Sequence, residues 1–78
     1  MIFLKTLDNF DLNSKVIITD LSASSLLKDR LLSLGFTENT IVEIIRKGPS
    51  NNLTVYLIRG TMIALRKEEA STIFAREV

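Results

Sequence analysis

Five short runs rich in apolar and β-branched residues, cut apart by turn residues, leave this chain room for only one helix of any length. "KVIITDL" (15–21), "IVEIIRK" (41–47), "LTVYLIR" (53–59), "TMIALR" (61–66) and "TIFARE" (72–77) each read as a strand. Asp20 and Ser22, the segment "TENT", the loop "GPSNN" (48–52) and Gly60 supply the breaks. "GPSNN" is the strongest loop signal, since it joins Gly48 to the only proline, Pro49, and two asparagines; a hairpin of 41–47 with 53–59 follows from it. Val42 and Ile44 are expected to face inward. "KEEAS" (67–71) has the length of a single helical turn. Several strands, tight turns and one helix within 78 residues predict a small, mostly β barrel, a single domain spanning 1–78.

The helix begins at Ser24 or Ser25, either of which is suited to capping by accepting a hydrogen bond from a free backbone N–H. Leu27, Leu31 and Leu34 then recur at i, i+4 and i+7 on one face, and Gly35 stands where helices commonly end in a left-handed conformation. Two further leucines do not fit that stripe. At about 100° per residue, Leu26 lies roughly 100° to one side of it and Leu32 roughly 140° to the other. Either other segments cover both flanks, or one flank is an exposed docking surface.

With 46% hydrophobic and 24% charged residues the chain is too apolar to be disordered. It contains no cysteine and no histidine, which excludes disulfides, thiolate metal sites and nucleophile–histidine catalysis. No apolar run approaches the roughly 18–20 residues of a membrane span, and Lys5 and Asp8 interrupt "MIFLKTLDNF" where a signal peptide would be apolar, so a cytoplasmic location is expected. Net charge is +1; the middle of the chain is mildly basic, too weakly to predict nucleic-acid binding. Glu68 and Glu69 are expected to be solvated. Asp8 and Asp11 share a face only if their segment is helical, and would then suit magnesium or calcium. The three glycines are too far apart for a phosphate-cradling loop. No catalytic residue, metal site or cofactor is expected.

Tyr56, the only tyrosine, sits mid-strand with Arg59 and Arg46 nearby in the hairpin. It either packs in the core or, with the arginines, forms a recognition patch. Phe3, Phe10, Phe36 and Phe74 are widely spaced and read as core and staple residues.

"RLLSLGF" (30–36), followed by "TENT", a strand and then "RGTMIALR" (59–66), resembles the FeoA family, small cytoplasmic proteins associated with bacterial ferrous iron uptake. Arg30, Leu31, Leu34 and Gly35 match the family's R-x-L-x-x-L-G helix ending. Gly60, Ile63, Ala64, Leu65 and Arg66 match its late G-x-x-[IL]-A-[IL]-R segment. Glu38 and Asn39 replace the family's usual Pro-Gly turn, and Asn13 and Ser14 occupy a region where a glycine commonly precedes the first strand. The resemblance implies an SH3-like barrel and a partner, the FeoB membrane GTPase and iron transporter, bound without catalysis. As a hypothesis, the partner-binding residues are Leu26, Arg30, Leu32, Tyr56 and Arg59. Two other readings remain: an SH3-like module like that of iron-dependent repressors, which the stand-alone length disfavours, and a small β barrel binding RNA or ribosomes. Exposed strand edges make self-association plausible.

Overall fold

The computed structural model describes residues 4–50 and 52–78. In chain order its elements are β1 (Lys5–Thr6), a 3-10 turn (Leu7–Asn9), β2 (Lys15–Leu21), α1 (Ser25–Leu34), β3 (Ile41–Lys47), β4 (Leu53–Ile58), β5 (Thr61–Arg66), α2 (Lys67–Ala70) and β6 (Ile73–Glu77). Side chains of a strand alternate between faces, and the buried residues follow that period: Val16 and Ile18 on β2, Val42 and Ile44 on β3, Thr54, Tyr56 and Ile58 on β4. Leu7, Leu31, Phe36, Leu65, Ile73 and Ala75 join the hydrophobic cluster from elsewhere in the chain, as do Phe10, Leu21 and Ala70.

The six strands form one antiparallel sheet in the order β1-β6-β2-β3-β4-β5. The expected mostly β, SH3-like architecture is present, but β1 and β5 are the two ends of the hydrogen-bonded order, so the sheet is not closed. Register shifts fall between Ile18 and Asp20 on β2 and between Ile44 and Arg46 on β3. An extra residue at such a bulge bends its strand and raises the local twist, which curls the sheet around its buried face.

Both positions where the sequence departs from the family's glycine pattern take a left-handed backbone, Asn13 at φ 68° and Asn39 at φ 67°. Asparagine is among the few non-glycine residues that visit this region routinely. The turns are also tied down, Asn13 N–H donating to the Ile44 carbonyl and Asn39 N–H to the Ile18 carbonyl, each at 2.7 Å. The β2–β3 pairing thereby continues past both strand ends.

The strands expected over 53–59 and 72–77 are each one residue shorter, and the hairpin, α1 and the single turn of α2 stand where the sequence puts them. Ser24 holds the N-cap position, yet its hydroxyl makes no cap bond; only its carbonyl engages, accepting the Lys28 N–H at 2.7 Å. Phe10 and Phe36 are buried and Phe74 half-buried, while Phe3 and loop residue Asn51 lie outside the described residues. β1 and the 3-10 turn were not legible, because a two-residue strand exists only through its remote pairing of Lys5 with Ala75 and Thr6 with Phe74.

Candidate partner-binding surface

Helix α1 is held to the core by one leucine stripe and one terminus. Leu31 is fully buried, and Leu27 and Leu34 pack against the core with partial exposure. At the end of the helix Gly35 takes φ 106°, which lets its N–H donate to the Leu32 carbonyl and the Phe36 N–H to the Leu31 carbonyl, both at 3.0 Å. This paired closure satisfies two carbonyls that a helix end otherwise leaves free. It also delivers Phe36 into the core, edge-on to Tyr56 with ring centroids 6.2 Å apart.

The same anchoring leaves the flanks of α1 uncovered to different degrees. Leu26 is 84% exposed and Leu32 37%. Arg30, one turn beyond Leu26, shares its flank and forms an ion pair with Glu69 of α2. Glu69 also accepts the Arg66 backbone N–H at 2.9 Å. That backbone bond, with the Arg30 guanidinium second, holds the Glu69 carboxyl below its ordinary range. The Arg30 side chain is itself half-exposed, and exposed ion pairs contribute little to stability. The pair links α1 to α2.

Arg59 lies at the other end of the helix. Arg59 and Gly60 are the two central residues of the turn joining Ile58 to Thr61, with φ of 51° and 79°. Two positive φ values in a two-residue loop suit the twist of a hairpin, although arginine is an uncommon residue there. Its guanidinium donates to Thr37 Oγ1 at 3.2 Å and Thr40 Oγ1 at 3.3 Å, and these hydroxyls are 2.6 Å from each other. A Cβ placed on Gly35 would lie 3.9 Å from Arg59 Cδ, so the arginine passes over the C-terminal end of α1. Leu26 and Arg30 therefore belong to one end of the helix surface, and Leu32 and Arg59 to the other.

Tyr56 does not belong to this surface. It is fully buried, and burial pushes its phenol up to about 12, against a smaller opposing pull from the Thr54 hydroxyl. The recognition patch of Tyr56 with Arg46 fails on strand geometry, since Arg46 pairs with Val55, whose side chain points to the face opposite Tyr56. Glu69 corrects a second expectation. Glu68 is exposed as the sequence suggests, whereas Glu69 is drawn into the contacts with Arg30 and Arg66. Its position three residues past the N-cap of a helical turn was the signal available in the sequence. Thr37 and Thr40 carried no such signal. Asp8 accepts the Thr6 hydroxyl at 2.6 Å within the 3-10 turn. Among the described residues no three of His, Cys, Asp and Glu come together as a metal-ion site. No helix among them is long and apolar enough to cross a membrane.

Comparison with known proteins gives a family for the sequence and a wider set of neighbours for the fold. The FeoA domain model matches residues 5–77. A Campylobacter jejuni protein named Fe(2+) transport protein A is 35% identical over 68 residues, covering 87% of this chain and 92% of that protein. The NMR structure of an FeoA-like protein from Clostridium acetobutylicum superposes with a TM-score of 0.90 at 24% identity, over 100% of this chain and 91% of that one. A manganese-dependent transcriptional repressor reaches the same TM-score at 11% identity over 100% of this chain and 44% of its own, a likeness of fold alone. By the family match along nearly its whole length and by its C. jejuni relative, the chain belongs to the FeoA family.

Proposed function

We propose that this protein is a non-catalytic accessory of bacterial ferrous iron uptake, acting in the cytoplasm by binding the cytosolic side of the FeoB membrane transporter. The contact surface is the exposed side of α1, with Leu26 and Arg30 at one end and Leu32 and Arg59 at the other. Family membership and the name of the C. jejuni relative support the iron-transport part of this reading. The observation that carries the binding part is Leu26, a large apolar side chain 84% exposed on a helix fixed to the core. An apolar centre rimmed by arginine is the composition of a modest protein interface.

A titration of the protein against full-length FeoB in nanodiscs, across nucleotide states, tests the proposal. Saturable binding is expected, weakened about tenfold or more by Leu26→Ser, on the scale of a hot-spot residue, with the fold unchanged. Absence of binding in every nucleotide state would refute it. Steep loss of affinity with rising salt would point instead to a polyanion partner.

A further inference from the structure

Among the described residues the sheet has two free edges, and they differ. β1 is two residues long and carries Lys5, the kind of short, charged edge that discourages pairing. β5 is six residues long, with no proline, no bulge in its pairing with β4 and one charged residue, Arg66, at its very end. The direction of its backbone groups follows from the hairpin. Ile58 and Thr61 close the two-residue turn as a hydrogen-bonded pair, so Thr61, Ile63 and Leu65 turn their N–H and C=O groups to β4, and Met62, Ala64 and Arg66 turn theirs outward. Two contacts agree with this phase. Lys67 N–H donates inward to the Asn52 carbonyl at 2.9 Å, and Arg66 N–H donates outward to Glu69.

Glu69 thus blocks the last outward N–H of the edge. Met62 and Ala64 keep theirs, and neither residue's backbone enters any turn, loop or side-chain hydrogen bond among the described residues. Both side chains are exposed, Met62 at 62%. On the same face they adjoin Leu57 and Val55 of β4, their cross-strand partners.

We propose that two copies of this chain associate edge to edge through β5, antiparallel, about a two-fold axis at Ile63. In that register Met62 of one copy faces Ala64 of the other and the reverse, and each of the two pairs exchanges both N–H···O=C bonds. Among the described residues, the outward β5 residues whose donors stay free are therefore each other's complement, which is what a two-fold interface requires. The two Ile63 residues meet as a non-hydrogen-bonded pair, the closer of the two antiparallel spacings, where β-branched side chains pack well. Arg66 falls opposite Gly60, so no like charges meet along the strand. Leu57 and Met62 of one copy run on into Ala64 and Val55 of the other, giving one apolar strip across the junction. The pairing uses none of the residues assigned to the transporter.

Sedimentation velocity over a range of concentrations, on wild type, Ala64→Pro and Met62→Lys, tests this. Proline at 64 removes only an outward N–H, which an edge strand tolerates, and lysine at 62 places like-charged side chains on the junction. A concentration-dependent wild-type dimer is expected, with its dissociation constant raised about tenfold or more in Ala64→Pro, which loses two of the four bonds. Amide exchange in the wild-type protein gives a readout that no misfolded variant can confuse: the Met62 and Ala64 amides should gain protection as concentration rises. A monomer at all concentrations, a dimer unchanged in both variants, or exchange at these amides independent of concentration would overturn the proposal.

Discussion

Replacing Leu31 and Leu26 by alanine in separate variants should give a large loss of stability in one and almost none in the other, from the same chemical change on the same helix. Leu31 has none of its surface exposed, so its truncation loses the full transfer free energy and leaves a cavity, about 3 kcal/mol within the 2–5 kcal/mol range of such substitutions. In a chain this small that is a drop in Tm of roughly 12–24 °C. Leu26 is 84% exposed, so folding removes less than a fifth of its surface from water, about 0.3 kcal/mol. The slightly higher helix propensity of alanine offsets most of that. Leu32, at 37% exposure, falls between at about 1 kcal/mol. Urea denaturation followed by circular dichroism reads all three, and the m-values should stay equal if only stability changes. A loss above about 1 kcal/mol in Leu26→Ala would mean that Leu26 is covered in solution. The division of α1 into an anchored stripe and a free flank would then be wrong.

Tyr56 is the only tyrosine and its phenol is pushed up to about 12 by burial. A raised folded pKa adds stability below the unfolded value of about 10 that is lost as pH climbs through the folded one. Phenolate absorbance should therefore appear late, between about 10 and 12, together with loss of the native circular dichroism; ionisation near 10 with the native spectrum intact would contradict the burial. Glu69 works in the other direction. Its folded pKa is lowered, first by the Arg66 N–H and then by Arg30, from an ordinary value of 4.5, so its contribution is present above that value and disappears as pH falls through the folded one. The wild type should lose more stability than Glu69→Gln on acidification below that range, and identical acid profiles for the two would show that these contacts do not hold the carboxylate in solution.

Much of the fold was legible because it rests on local rules. The β-branched runs, the turn residues between them and the leucine period ending at Gly35 each act over a few residues, so they locate the strands and the helix. Asn39 belongs with these, since asparagine tolerates the turn conformation that a glycine would take there, and its φ is 67°; that Asn13 takes the same backbone, at φ 68°, emerged only from the structure. The candidate surface was less so. Helical spacing identified Leu26 and Leu32 as misplaced relative to the core stripe, but exposure is set by what packs alongside. Only the packed chain separates 84% from 37%. Tyr56 shows the same limit, since alternation along β4 offers two faces and the sheet's direction of curl decides which is inside.

By itself, then, the sequence determined the types and order of the elements from β2 onward, the helix stop and the absence of histidine and cysteine chemistry, all properties of residues and near neighbours. The tertiary structure decided which flank of α1 stays bare, that Arg30 meets Glu69 39 residues away, that Arg59 reaches back to Thr37 and Thr40, and that β5 is the last strand of the described sheet, paired on one side only. Each of those depends on which distant segments the curl of the sheet brings together, and no local propensity encodes a distance between remote parts of the chain.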